Sequence, residues 1–549
     1  MGLSPQGHIK RANRWKAERS NYDDTADQVA NLVAPRKSVL TERSPGEQDT
    51  VQIYDETAVL GSQKCAAGIY AYTIQGNRWF ALKPRNKQLQ ENDEIKRWFS
   101  DVSEKLLSEI MSSNFPRASY EGLQDWVTMP AMCLYLEEGK ESALNFQAYA
   151  FGSYAVANNA DGIVDTIYRS FKLTPRQAAQ KWGKDKLHEK MREMLSDEMK
   201  CDTLCEFLHC VYPRDEYDGK KLDALNMRFA SEYIDVKYKH KLSEGGYQEF
   251  PYFVCRFNKK AEDVYGHSPA MDLLPAIRGV NKMQQTMLIA AEKAVNPPWL
   301  IPDDGTSSYN FSARAGSKNY WRVSPVMGNN KPEPVIIQSD LKAGNEMIMR
   351  IQQKIENGFM LDLFNALAQQ TENMTATEVL QRVEEKLNAL APSWGNLESE
   401  WLSPMIVRAL GILMRRRAFD APPQELQVDP NFDITYYGKI ALAADMLKAR
   451  AFFQFSEAVA PLMAANPEFA AAYSDTINAE SSLREIANGM GLSSRFTYSE
   501  EVSAERKEAR QAAQAEAAAA QQVEQLASAA GKLPDKVVEE GLQNAAVAA

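Results

Sequence analysis

The sequence predicts an α+β protein in which helices predominate, on the basis of two patterns. Several long segments repeat apolar residues at helical spacing, for example from Asp93 to Met111. Between Ala143 and Phe257 the chain instead carries short β-branched and aromatic runs separated by turn signals. We therefore expect helices that lie outside a largely antiparallel sheet.

The first region, to about Asn114, is predicted to consist of helices and loops. A segment from Arg11 to Leu32 has helical character, and Pro35 ends it. The next helix runs from Asp93 to Met111. Its apolar face consists of Ile95, Phe99, Val102, Leu106, Leu107 and Ile110.

The sheet region contains a hairpin signal, a helix start and three strand-like runs. Asp161-Gly162 separates two β-branched runs and predicts a tight turn. Thr174-Pro175 predicts the start of a helix, because threonine caps well and proline fits the first helical position. Gly245-Gly246 predicts a turn between the last two strand-like runs. These runs are Leu204–Tyr212, Phe229–Tyr238 and Phe250–Phe257.

The stretch from Tyr265 to Phe364 predicts two long helices around an irregular insertion. Ser268-Pro269 starts the first helix, which runs on to Ala294. An insertion rich in Pro, Gly, Asn and Asp follows from Asn296 to about Ser339, and the second helix runs from Asp340 to about Phe364. About 25 residues give this helix a length of roughly 37 Å. A stalk of this kind suits an assembly whose copies stand side by side.

The C-terminal third is predicted to be helical with one polar break. Thr375 begins a capping-box pattern after that break, and a further helix spans Leu397 to Phe419. Its terminal Arg415–Arg417 run suits a solvated helix end better than a nucleic-acid contact. From Ile440 onward the chain is rich in alanine, which favours helix but builds little core. Such helices could form a tube in a ring or remain a frayed tail.

Composition limits the classes of function. At 549 residues the chain needs more than one core. Its net charge of -10 argues against a protein that mainly grips phosphates, but not against one that DNA merely passes through. No run of 18 apolar residues and no secretory signal occur, so we expect no membrane partner. Six scattered cysteines predict no disulfide framework.

Motifs for nucleotide and hydrolytic chemistry are missing. The strings nearest to a P-loop, at Ala315–Lys318 and Gly328–Lys331, lack the required glycines followed by Lys and Ser or Thr. The sequence has neither a Gly-x-Ser-x-Gly elbow nor a His-Glu-x-x-His helix. We therefore expect no enzyme activity and no cofactor.

One group of residues has the composition of a metal site. Cys201, Cys205, His209 and Cys210 could supply thiolate and imidazole ligands, but the apolar residues around them favour buried cysteines that act as small hydrophobes. Asp303-Asp304 precedes a glycine and is interpreted as a turn former rather than a cation site.

Five segments of the chain resemble the head-to-tail connector (portal) family of short-tailed bacteriophages. The resemblance covers most of the chain from about Arg11 to about Arg417 and is weak over the alanine-rich tail. Two of the segments, at Gly266–Pro275 and Ala294–Gly305, are the most specific. The other three are Phe151–Arg169, Phe171–Ala178 and His209–Arg214.

The resemblance implies a portal-type fold assembled as a dodecameric ring at one capsid vertex. Double-stranded DNA would enter and leave through the axial channel. The partners would be the terminase motor, the tail adaptor, and the capsid and scaffolding proteins; the protein would be made in the bacterial cytoplasm and reside in the virion. The implied parts are an α/β wing (1–265), the first stem helix (266–295), a clip (296–339), the second stem helix (340–364), a channel loop with wing helices (365–435) and a C-terminal crown or barrel (436–549).

Candidate functional residues follow from these parts. We predict that one set of polar and basic residues faces the DNA channel: Lys342, Arg350, Lys354, Asn373 and Thr375. A second set is predicted to form a docking surface at the clip: Trp299, Asp303, Asp304, Arg314, Lys318 and Trp321. The basic residues of the second stem helix could instead pair with Glu346 and Glu356 of neighbouring subunits.

Two other classes of function remain open at this point. One is a scaffold or interaction protein without a channel, which electron microscopy would distinguish from a ring. The other is a nucleic-acid-processing enzyme of the packaging apparatus, which the missing nucleotide and metal motifs disfavour.

Overall fold

The computed structural model describes most of residues 3–437 and two short helical pieces further on. Within 3–437 the description excludes 36, 38–52, 75–78, 87, 91, 140–141, 219–220, 222, 303–311, 313, 322–332, 335–340, 369–391 and 429–430. The later pieces lie within 455–461 and 506–517. The predicted capping box at Thr375, the polar stretch before it and most of the alanine-rich tail fall outside the described residues.

The described helices and strands confirm the α+β class. The helices are α1 Pro5–Glu18, α2 Ser20–Leu32, α3 Thr57–Thr73, α4 Asp93–Ser112, α5 Phe115–Thr128, α6 Pro175–Trp182, α7 Glu189–Leu195, α8 Pro269–Val295, α9 Leu341–Gly358, α10 Leu361–Ala368, α11 Ser403–Arg415 and α12 Gln424–Val428. A helical stretch at 392–397 continues through a π-helical turn, Glu398–Leu402, into α11.

The strands form four sheets. They are β1 Phe80–Pro84, β2 Met132–Glu138, β3 Leu144–Tyr149, β4 Tyr154–Asn158, β5 Val164–Leu173, β6 Cys205–Pro213, β7 Phe229–Asp235, β8 His240–Tyr247, β9 Tyr252–Cys255, β10 Trp299–Pro302, β11 Lys318–Trp321, β12 Glu333–Pro334 and β13 Phe432–Tyr436. The sheet orders are β4-β5-β6-β7-β8, β3-β2-β9, β11-β10-β12 and β1-β13.

The chain divides into two compact units. The first comprises residues 1–80, 104–420 and 436–444, and the second comprises 81–103, 421–435 and 445–549. In the second unit an ion pair joins Arg85 to Asp433 at 2.9 Å, and the Asn92 side chain donates a hydrogen bond to Glu425 at 2.8 Å.

The five-stranded sheet of the first unit is antiparallel throughout. Gly162 lies in the predicted hairpin between β4 and β5, with a φ of +76° that glycine adopts without strain. Thr174 caps α6 through a capping box with Gln177, which confirms the predicted helix start.

The turn predicted at Gly245-Gly246 is wrong. Both glycines lie inside β8, where they pair with Ser231 and Ala230 of β7. The chain reverses earlier, next to Lys239, which has a φ of 52°. A glycine pair is a turn signal only on average, and here cross-strand pairing decides its conformation.

Both faces of the five-stranded sheet are covered. The sheet β3-β2-β9 packs on one face, with Tyr135 and Val254 against Ile167 and Val211. Helices α6 and α7 cover the end of this face around Phe207. Helix α1 covers the opposite face, over Tyr168, Leu208, Cys210 and Ile234. The first unit therefore has a core of its own.

A buried ion pair connects β9 to the π-helical turn. The Arg256 guanidinium contacts the Glu400 carboxylate and also donates to the carbonyls of Gly162 at 3.2 Å and Val264 at 3.0 Å. The Arg256 side chain is almost fully buried. One arginine thus connects a hairpin, a strand and a helix that are far apart in the sequence.

Candidate functional site in the helical stem

Helices α8 and α9 form an antiparallel pair, which we call the stem. Two glycines of α9 lie close to side chains of α8: a Cβ at Gly344 would lie 2.7 Å from the Met287 sulfur, and one at Gly358 would lie 2.6 Å from Leu273. These two contacts place the end of α8 beside the start of α9. The 27 residues of α8 make that helix about 40 Å long, whereas the 18 residues of α9 make it about 27 Å long.

The start of α8 is fixed by the residues that the sequence indicated. The Ser268 hydroxyl accepts a hydrogen bond from the Met271 amide at 3.4 Å and donates one to the carbonyl of Thr128 at 2.9 Å. Pro269 occupies the first turn. The predicted cap is confirmed, and it also anchors the helix to the end of α5.

Burial along α8 falls with distance from this anchor. Ala270, Leu274, Ile277 and Val280 are buried, but Leu288 is 51% exposed and Val295 is 88% exposed. On α9, Ile348 and Ile355 are buried in the seam, whereas Met347 and Met349 are exposed. The far half of the stem therefore presents apolar side chains to solvent within the single chain.

Two residues before α3, Tyr54 and Asp55, cross both stem helices; we call them the polar strap. The Asn281 side-chain oxygen accepts from the amides of Tyr54 at 2.7 Å and Asp55 at 3.3 Å. The Gln352 amide donates to the Asp55 carboxylate at 2.6 Å. That carboxylate also accepts from the amide of Thr57, at the start of α3. The strap therefore joins α8, α9 and α3.

The second stem helix is not continuous. A single helix was predicted from Asp340 to about Phe364, but α9 ends at Gly358 and α10 begins at Leu361. Met360 lies between them with a φ of 56°. This left-handed conformation costs a non-glycine residue about 1–2 kcal/mol. Packing elsewhere in the unit must therefore stabilise the break.

The three predicted channel residues of α9 are all exposed. Arg350 and Lys354 are four residues apart and lie on one face of the helix. Gln352, midway between them, points to the opposite side and binds the strap, so both cations face away from it. Lys342 lies about 80° around the helix from Arg350. Neither Arg350 nor Lys354 forms an ion pair with another described residue. Asn373 and Thr375 lie outside the described part of the chain.

The tip of the stem carries the small sheet β11-β10-β12. Strands β10 and β11 are parallel, and their register places Trp299, Ile301, Lys318 and Tyr320 on one face. Trp299 is 40% exposed and Tyr320 is 42% exposed. On the other face Asn319 is buried and exchanges hydrogen bonds with the backbone of Ser312.

The predicted docking residues are only partly brought together here. Trp299 and Lys318 share the exposed face of the tip sheet, and the exposed Arg314 lies in the preceding turn. Trp321 is the last residue of β11. Asp303 and Asp304 lie outside the described residues.

Comparison with known proteins assigns the family. The model of the family described as "Bacteriophage head to tail connecting protein" matches residues 6–529. This chain belongs to that family. It is also 28% identical over 434 residues to the "Probable portal protein" of Bordetella phage BPP-1, a match that covers 77% of each chain. It is 26% identical over 431 residues to the "Portal protein" of Salmonella phage epsilon15, again over 77% of each chain.

The resemblance to head-to-tail connectors inferred from sequence segments is thus confirmed. Of the stem strings that carried it, Gly266–Pro275 lies at the anchor of α8, and the described part of Ala294–Gly305, up to Pro302, runs from the end of α8 into β10. The region that matches the connector family includes most of both units described above.

In this connector-family chain Cys205, His209 and Cys210 are part of the core, whereas Cys201 is only partly buried, so the prediction of a buried cysteine is wrong for Cys201. Cys205 and Cys210 lie on opposite faces of β6, in different apolar clusters. Both nitrogens of His209 are engaged, by the Tyr252 hydroxyl at 2.6 Å and the Ser231 hydroxyl at 2.9 Å. The described residues include no group of three or more side chains placed to hold a metal. The interpretation of Cys205 and Cys210 as buried small residues is confirmed.

The arginine run at the end of α11 contacts protein. Arg415 forms two hydrogen bonds with Glu249, at 2.7 and 2.9 Å. Arg416 donates to the carbonyl of Gly139 at 2.9 Å. Among the helices that the structure describes, none is both long enough and apolar enough to span a bilayer.

Sequence reasoning missed the polar strap and the break at Met360. Asn281 offered a signal, because it is a polar residue four positions after Ile277 on the apolar face of α8. Asp55 offered none, since its partners Asn281 and Gln352 are more than two hundred residues away.

Proposed function

We propose that this chain is the subunit of a portal: a ring, dodecameric as the resemblance implies, at one capsid vertex through which double-stranded DNA is packaged and ejected. The family match across residues 6–529 is the observation that carries the proposal. The role is structural rather than enzymatic. The terminase, the tail adaptor, and the capsid and scaffolding proteins are its proposed partners.

The stem supports ring assembly through its uncovered far half. Asn281, Leu288 and Val295 follow one another at seven-residue spacing and lie near one line along α8. The polar strap covers Asn281, whereas Leu288 and Val295 are exposed. A neighbouring copy placed beside the stem would bury them. Burial of a fully exposed side chain contributes about 1.5–3 kcal/mol, and the gain is smaller for Leu288, which is already half-buried.

The cations of α9 support a channel role. Arg350 and Lys354 face away from the strap, so they are free to line a passage formed by repeated stems. One pair per subunit would give two stacked rings of positive charge. The chain as a whole carries a net charge of -10, so DNA would be guided by a few cations without being held by a basic wall.

The tip supports a docking role. The exposed face around Trp299 and Tyr320 carries two aromatic rings and the Lys318 ammonium. Aromatic residues are enriched at protein interfaces, whereas lysine is depleted there. We place the contact with the terminase, and later with the tail adaptor, on this face.

Electron microscopy of the purified chain tests the ring directly. We expect annular particles with a central hole, and their rotational symmetry gives the subunit number. Monomers or irregular assemblies at micromolar concentration would favour the alternative of a scaffold protein without a channel.

The channel role is tested by replacing Lys342, Arg350 and Lys354 together with alanine. We expect rings to assemble normally while DNA packaging or retention changes. The matched control removes three exposed cations elsewhere: Lys184, Lys190 and Arg192. Equal packaging by both triple variants would contradict the channel role and leave the ring intact.

A further inference from the structure

The break between α9 and α10 is the place where sequence pattern and structure disagree most. The apolar stripe Ile348, Ile355 and Phe359 continues to Leu363 without a proline. Helical periodicity alone would therefore carry one helix through Met360. Met360 instead takes a left-handed conformation that its side chain disfavours, while Gly358 lies in the helix two residues earlier.

Two phenylalanines, one on each side of the break, pack against glycines of α3. A Cβ at Gly61 would lie 3.0 Å from the Phe359 ring. A Cβ at Gly68 would lie between 2.5 and 2.9 Å from three atoms of the Phe364 ring. Gly61 and Gly68 are seven residues apart, which places them near one line on α3. We call these two contacts the glycine seats.

The polar strap fixes the same helix at its beginning. The Asp55 carboxylate accepts hydrogen bonds from the Thr57 amide at the start of α3 and from Gln352 on α9. Helix α3 is therefore attached to α9 by the strap, to the break by Phe359 and to α10 by Phe364. It therefore contacts the chain on both sides of the break.

We propose that the break is a two-state joint, bent when both phenyl rings occupy the glycine seats and straight when Phe364 leaves its seat. In the straight state α9 and α10 merge into one helix, and Met360 adopts the right-handed conformation that it prefers. The packing of the phenyl rings on α3 favours the bent state, whereas the backbone preference of Met360 favours the straight state. A segment with two such competing arrangements can switch between discrete states. The joint would change the direction in which the chain leaves the stem.

The joint is a property of one subunit and does not depend on the proposed ring or channel. It can be measured as a distance between spin labels at the exposed positions Glu346 and Asn365. In a continuous helix these positions are about 28 Å apart, and a bend brings them closer. Cys201 is replaced by serine for labelling, since the other five cysteines are buried. Dilution with unlabelled chain removes distances between copies.

Gly68→Ala is the principal variant, because its methyl group would collide with the Phe364 ring. We expect it to populate the distance near 28 Å at least several-fold more than the unmodified chain. Gly279→Ala is the matched control: it makes the same change in α8 at a site with no neighbouring atom within 4 Å. Its distance distribution should equal that of the unmodified chain.

Two further variants keep the proposal testable if Gly68→Ala folds poorly. Phe364→Ala empties the seat without adding atoms and should also populate the long distance. Met360→Gly removes the penalty on the bent backbone and should narrow the distribution at the short distance. If Gly68→Ala and Phe364→Ala both give the same distance distribution as the Gly279→Ala control, the joint is rigid and the proposal is overturned.

Discussion

The five-stranded sheet and the far half of the stem use apolar residues in opposite ways. The sheet is covered on both faces, and its central strand β6 buries Phe207, Leu208 and Val211 completely or nearly so. The stem leaves Leu288 and Val295 in solvent once α8 passes the polar strap. The sheet region thus completes its own core, whereas the stem has a surface that one chain does not cover. A fold that has one fully covered core and one uncovered apolar surface suits a subunit of an assembly.

Removing the Arg256 side chain should have the largest effect on the self-sufficient region. Arg256→Ala removes the guanidinium partner of the Glu400 carboxylate, which then keeps only the backbone amide of residue 256, and it removes the donor to the Val264 carbonyl. Breaking a buried pair from one side typically costs 3–5 kcal/mol, so we expect a large fall in the thermal unfolding midpoint. Arg14→Ala is the control, since its pair with Glu18 is exposed and contributes about 0.5 kcal/mol or less. Similar midpoints for the two variants would show that the Arg256 site is not a central connection.

The polar strap lies at the boundary between the two regions, and its loss should have an intermediate effect. Asp55→Ala removes the acceptor for Gln352 and for the start of α3. We expect a loss of about 1–3 kcal/mol, with faster hydrogen exchange in α9 than in β6. Asp55→Asn keeps one acceptor oxygen and should lose less. Uniformly faster exchange across both elements would mean that the strap stabilises the whole unit rather than the stem.

How far the sequence predicts each region depends on the range of the contacts. Apolar periodicity located α4, a cap residue located the start of α8, and a turn dipeptide located the hairpin at Gly162, because those signals act over a few neighbouring residues. The strand at Gly245-Gly246 and the break at Met360 could not be predicted in this way, because pairing with β7 and, by our inference, packing on α3 determine them. The same reason hid the strap, whose partners are distant in sequence. The exposure of the stem likewise depends on what the rest of the chain fails to cover.

Acidification should weaken the sheet region through His209. Burial, together with the charges of Lys181 and Arg169, holds the pKa of His209 well below its ordinary value of 6.5. The unfolded chain therefore takes up this proton first as the pH falls below about 6.5, and stability is lost by up to about 1.4 kcal/mol per pH unit.

The contribution of His209 to the pH dependence of stability can be isolated by comparing the unmodified protein with His209→Gln. Glutamine retains polar atoms near Tyr252 and Ser231. Burial raises the pKa of Asp125 and Asp235, which acts in the opposite direction at lower pH, so the difference between the two proteins is the relevant quantity. We expect the difference in unfolding free energy to shrink between pH 7 and pH 5. A constant difference would show that His209 keeps an ordinary pKa.

Substitutions in the exposed stripe of α8 should change the stability of the single chain least and the association between copies most. Replacing Leu288 and Val295 with asparagine should change the unfolding free energy of the monomer by about 0.5 kcal/mol or less, because both side chains are exposed. The same change should weaken association between copies, measured by sedimentation, since the interface would lose up to about 1.5–3 kcal/mol of apolar burial at Val295 and less at the half-buried Leu288. Leu225→Asn is a matched control, because Leu225 is 52% exposed but lies outside the stem. If the stem variant and Leu225→Asn associate equally well, the exposed stripe of α8 is ordinary surface, and the contrast between the two regions carries no information about assembly.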